Sequence, residues 1–253
     1  MNFKLLFTQY CQILKQYKKE LQEVAYFNME VLDGINKTIS QDKKSGCFSY
    51  EFANIQLIVP KKYKCASHSI PREFNALKII LVYKNDSIII KFKKNALIED
   101  PIQELGTFNL LLESDNYFSS WHLDRHVRED GENESKSLHP LYHMTFGGTE
   151  MESRDRENEG LFGNILLIRS PRIQHPPMEF VLWMDFIFRH FFKKEDIELL
   201  SNDSYKRIVR EIKKHLWLPY SLAFAKNYCD YLDVDTVRCN FDGGFVSAVI
   251  GED

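Results

Sequence analysis

The stretch ALKIILVYKNDSIIIKF, residues 76–92, decides the fold class. Two runs rich in Ile, Leu and Val flank Lys84, Asn85 and Asp86, and β-branched residues suit a pleated surface while a short polar break suits a turn. The pattern predicts a β-hairpin. Similar short runs surround it: FSYEFANIQLIV from Phe48, FNLLLE from Phe108 and SSWHLDRHV from Ser119. With turn residues between them, these runs predict a mainly antiparallel meander over about 47–168.

Towards the amino end the period changes. Leu6, Tyr10, Ile13, Tyr17, Leu21 and Val24 recur at steps of three and four, which draws one apolar stripe along a helix. A long amphipathic helix over residues 1–33 is expected, closing at Asp33 and Gly34. Towards the carboxyl end, PPMEFVLWMDFIFRHFF predicts a core helix apolar nearly all round, started by Pro176 and Pro177. Residues Tyr205 to Leu216 and Tyr220 to Tyr231 predict two further helices, so that 176–231 forms a helical cluster. Together these elements predict an α+β fold and a single domain over 1–253, with a long N-terminal helix packed on an antiparallel sheet. Two acidic stretches, 129–137 and 149–160, lack apolar periodicity and read as exposed loops.

Composition narrows the function classes. Hydrophobic residues make up 44% and charged residues 27% of the 253, the balance of an ordinary globular protein. No apolar run approaches the length that spans a bilayer, and the opening residues are too polar for a secretory leader, so a cytoplasmic protein with no membrane partner is expected. The five cysteines have no paired spacing, which excludes the usual zinc and redox motifs. A net charge of -3 argues against nucleic-acid binding over the whole surface, though not against a local basic patch.

Four of the eight histidines fall between His122 and His143. On a strand, period two places His122, Asp124, His126 and Arg128 on one face, and a second strand would add His139 and His143. Imidazoles around a carboxylate suit a divalent metal, held by His122, Asp124 and His126, or proton transfer by His122, Asp124, His126 and His143. They equally suit ligand binding or simple surface pairing, and the spacing does not choose. Arg125 or Arg128 could steady phosphate charge. Gly147 and Gly148 allow a close backbone approach or a plain tight turn. Arg172 stands near the amino end of the aromatic helix, where anions are favoured, although a rigid proline corner explains the same residues. Lys206, Arg210 and Lys213 lie on a basic helix face that could track a phosphate backbone or remain solvated. No nucleotide-binding glycine loop, HExxH or GxSxG occurs.

The segment HPLYHMTFGG, followed by a strand, a proline corner and PPMEFVLWMDFIFRHFF, resembles an uncharacterised bacterial family encoded beside helicases in anti-phage defence loci. The resemblance covers about 120–192. It implies an accessory or sensor component that binds a protein partner encoded nearby, such as a helicase or other defence subunit, or nucleic acid. The clustered polar residues themselves suggest the alternative, a His/Asp-dependent nuclease or phosphodiesterase, with or without a divalent metal.

Overall fold

The computed structural model describes residues 2–42, 44, 47–51, 53–60, 76–83, 91–92, 100–104, 107–114, 117–126, 140–147, 150–151, 153 and 172–228. The chain is α+β. A seven-stranded sheet has the order β1, β4, β5, β8, β9, β10, β11, and a four-stranded sheet has the order β2, β3, β6, β7. Every described pairing is antiparallel. The large sheet comprises β1 (Tyr26–Phe27), β4 (Ile55–Pro60), β5 (Ala76–Tyr83), β8 (Phe108–Ser114), β9 (Tyr117–Arg125), β10 (Tyr142–Phe146) and β11 (Ile173–Gln174). The small one comprises β2 (Ser40–Gln41), β3 (Phe48–Ser49), β6 (Lys91–Phe92) and β7 (Ile102–Glu104).

The apolar stripe of the amino-terminal region is real, but its backbone is not one rod. It divides into α1 (Phe3–Gln16), α2 (Lys18–Val24) and, after β1, α3 (Val31–Thr38). Gly34, expected to close the helix, lies inside α3. Asn2 caps α1 by accepting from the Leu5 amide at 3.1 Å, which satisfies one of the orphan donors of its first turn. The side chains of Leu6, Tyr10, Ile13, Leu21 and Val24 are all buried.

The turn expected at residues 84–86, and the run from Ser87 to Ile90 after it, lie outside the described residues, but the described residues of the two flanking runs do not pair with each other. Strand β5 is flanked on one side by β4, with Leu57 opposite Ile79, and on the other by β8, with Leu112 opposite Ile79. Lys91 and Phe92 instead join the second sheet, between β3 and β7. From Lys78 to Leu81 both hydrogen-bonding edges of β5 are therefore taken.

One face of the large sheet, with Leu57, Ile79, Leu81, Phe108, Leu110 and Leu123 all buried, meets the carboxyl-side helices. Phe108 lies 5.9 Å from Trp183 of α4 (Phe180–Phe191). Helix α4 is the expected core helix, with eight of its twelve residues buried. Its start differs from expectation, because Glu179 rather than a proline caps it, accepting from the Leu182 amide at 2.9 Å. Two short 3-10 turns lead to α5 (Asp203–Tyr228), a single helix running through Pro219 where two were expected. One cluster of buried side chains joins α1, both sheets, α4 and α5. No helix among the described residues is long and apolar enough to cross a membrane.

Candidate functional site

Strands β8, β9 and β10 build the polar face that the histidine pattern anticipates. In their register Asn109 lies opposite His122, His122 opposite Thr145, and Asp124 opposite His143. Residues opposite each other share a face, so Asn109, His122, Asp124, His143 and Thr145 all lie on the side of the sheet away from Phe108 and Leu123.

The side chains form a connected group. His122 Nδ1 meets Asn109 Oδ1 at 2.9 Å, and its Nε2 stands 3.7 Å from Asp124 Oδ2. Asp124 Oδ1 accepts from the Thr107 hydroxyl at 3.2 Å. The His122 imidazole is the largest influence holding the Asp124 carboxyl below the usual carboxylate range, and the charge of His143 and the Thr107 hydroxyl add to it against burial. His143 is buried and donates from Nδ1 to the Pro140 carbonyl at 3.0 Å, leaving Nε2 as the acceptor of the neutral ring. Burial pushes its imidazole below the ordinary value. Asn109 is fully buried, and among the described residues its Nδ2 has no hydrogen-bond partner.

The other expected members are distributed differently. His126 lies one residue beyond β9, half-buried, with its amide donating to the Leu141 carbonyl at 2.8 Å. Among the described residues no group of three or more His, Cys, Asp or Glu side chains could hold a metal ion, so His122, Asp124 and His126 do not make a ligand set. Arg125 belongs to the opposite face. Its Nε and Nη2 donate to Asp100 Oδ2 at 3.0 and 2.7 Å, and Tyr142 donates to the other oxygen of the same carboxylate. Strand alternation explains this: an odd-numbered residue between Asp124 and His126 must point the other way. Arg125 is therefore removed from any phosphate held beside His122.

Gly147 has φ 91°, in the left-handed region that glycine tolerates, and its amide donates to the Ser120 carbonyl at 2.8 Å while its carbonyl accepts from the Ser120 hydroxyl. Gly147 is thus fastened to β9 through both its backbone polar groups. Met151, expected in an exposed acidic loop, is buried beside Gly147. Arg172 immediately precedes β11, whose Gln174 pairs with His143, and its charge bears on that imidazole. Arg128, His139 and Gly148 lie outside the described residues, as do 129–137 and most of 149–160.

Lys206 and Arg210 are exposed on α5, but Lys213 is not simply solvated: its ammonium stands 3.8 Å from Asp185 Oδ2 and 5.2 Å from the centre of the Trp217 ring. Asp185, buried in α4, also accepts from Arg189 at 2.9 Å and from the Tyr205 hydroxyl at 3.0 Å.

Sequence reasoning missed Thr107, Asn109 and Asp100. Asn109 did leave a signal, as the one polar residue within the apolar run FNLLL, and a lone amide in a buried strand must find a polar partner. Compared with known proteins, the chain matches no family model, no curated protein and no solved structure.

Proposed function

We propose that the chain is an accessory or sensor component of a bacterial anti-phage defence system, working in the cytoplasm by binding a protein partner or nucleic acid. The resemblance over 120–192 suggests the setting. The observation that carries the binding reading is an apolar strip at the β11 end of the large sheet. Phe146 is 37% exposed, Ile173 58% and Phe224 44%, and they neighbour half-buried Trp121, Met144 and Tyr220. Trp121 and Phe146 meet edge-on at 5.2 Å, and Phe224 and Tyr220 stack at 6.5 Å. Exposed aromatic and aliphatic groups gathered at a sheet edge are typical of protein interfaces. The test is co-purification of the tagged chain with the products encoded beside it. The wild type should retain a partner, and Phe146→Asp with Ile173→Asp should release it while leaving the thermal melt unchanged. A wild type that retains none of these products removes the reading.

A second reading is favoured by the Asn109, His122, Asp124 group. Two imidazoles, His122 and His143, share a sheet face with the Asp124 carboxylate and so gather groups able to carry a proton, and a His/Asp-dependent nuclease or other phosphodiesterase follows as the alternative. Phosphodiester hydrolysis by the purified chain, lost in both His122→Ala and His143→Ala, would support it. Equal activity in those variants and the wild type would eliminate it.

A further inference from the structure

Helices α4 and α5 together present a cationic surface that the sheet-face site does not use. Asp185 is its organiser: one carboxylate oxygen takes Arg189 of α4 and the other faces Lys213 of α5, so a single buried acid fixes two cations from different helices side by side. Along α5, Lys206, Arg210, Lys213 and Trp217 follow at steps of four, three and four, which places them on one stripe. Lys206, Arg207, Arg210 and Lys214 are exposed. The acids of this stretch are Asp203 in the first turn and Glu211 at the flank, fewer than the cations they accompany. At the carboxyl end of α4, exposed His190 stacks on Phe186 at 4.1 Å, with Lys193 and Lys194 following and Glu195 and Asp196 after them.

We infer that this two-helix surface, where Asp185 ties Arg189 to Lys213 beside Lys206 and Arg210, holds the phosphodiester backbone of a nucleic acid. Charge complementarity selects the occupant. The chain as a whole carries -3, so it is the local excess of cations on these two helices, not the overall charge, that would draw a polyanion. From Lys206 to Lys213 the helix rises roughly 10 Å, about three phosphate steps of one duplex strand. Exposed His190, stacked on Phe186, offers its outer ring face to an unpaired base, the combination of cations and an aromatic plane that single strands favour. The assignment deepens the binding reading above, and the two can fail separately because the apolar strip is a different surface.

The probes are a fluorescein-labelled 20-nucleotide single strand, the matching duplex and a polyglutamate peptide, read by anisotropy against the full chain across a salt series. The wild type should bind nucleic acid at low salt, with log affinity falling linearly with log salt. Lys206→Glu with Arg210→Glu should weaken binding at least tenfold and reduce the salt slope by about two, one for each lost phosphate contact. Lys4→Glu with Lys19→Glu, the same charge change at exposed positions elsewhere, should leave binding within about twofold by the same reasoning. Absence of nucleic-acid binding at low salt overturns the inference. So do unchanged affinity and slope in the helix variant with its thermal melt intact, an equal loss in the control variant, or polyglutamate binding as tight as the nucleic acids.

Discussion

Glu179 shows how one residue's placement sets a property of the whole chain. Its side chain is fully buried, with Oε1 accepting from the Leu182 amide and Oε2 from the Tyr50 hydroxyl at 2.8 Å. Burial is the dominant cause and pushes the carboxyl up to about 7, against the backbone amides and the Tyr50 hydroxyl that favour the charged form. Between the ordinary value of 4.5 and about 7 the folded chain keeps a proton that the unfolded chain has released. Stability from this group is thus complete below the ordinary value, falls as pH rises, and is gone above the folded value. The interval corresponds to on the order of 3 kcal/mol. His143 and His175, whose imidazoles burial pushes down, act with the opposite sign, since their unfolded forms take up protons first as pH falls. Comparing the wild type with Glu179→Gln isolates the carboxyl. The variant's Tm relative to wild type should rise between pH 4.5 and pH 8 by roughly 5–10 °C. A Tm difference that stays constant over that interval would show that Glu179 does not titrate there.

At the scale of elements, Asp185 joins α4 to α5 by accepting from Arg189 and the Tyr205 hydroxyl and facing Lys213. Removing it leaves a buried hydroxyl without its acceptor and two cations without their counter-charge, so Asp185→Ala should cost about 2–4 kcal/mol in urea denaturation. Tyr205→Phe added to that variant should cost less than it does alone, because the bond it would break is already absent. Additive losses would contradict the shared network. The pairing of Asp185 was legible, since an acid inside an apolar helix has to be neutralised by a partner. So was the face shared by His122, Asp124 and His143, because strand period alone assigns faces. What period two does not encode is which strand lies alongside: Ile79 and Leu81 are buried as expected, yet their neighbours are β4 and β8 rather than the next run in sequence. The same gap hid Asn109 and Thr107, which reach the histidine face only through the pairing of β8 with β9. The break between α1 and α2 was illegible for a different reason, as the apolar stripe crosses Tyr17 without losing its spacing.

At the scale of the molecule, the buried cluster runs without interruption from α1 to α5, and Phe7 sits where several parts meet. Its ring centre lies 4.8 Å from that of Phe48 in the small sheet and 4.6 Å from that of Tyr50, whose hydroxyl in turn holds Glu179 at the head of α4. Tyr10, one turn further along α1, stacks on Tyr205 of α5 at 5.6 Å. Loosening α1 therefore strips partners from the small sheet and from both carboxyl-side helices together. Phe7→Ala should cost about 3–5 kcal/mol, the usual penalty for emptying an aromatic core position. Because the core is continuous, the loss should appear at one urea midpoint in two probes. One is far-ultraviolet circular dichroism, dominated by the helices, and the other is the fluorescence of tryptophan, including the fully buried Trp183 against the large sheet. If the two midpoints separate in the variant, with helical signal lost before Trp183 is exposed, then α1 and the large sheet do not unfold as one cooperative unit.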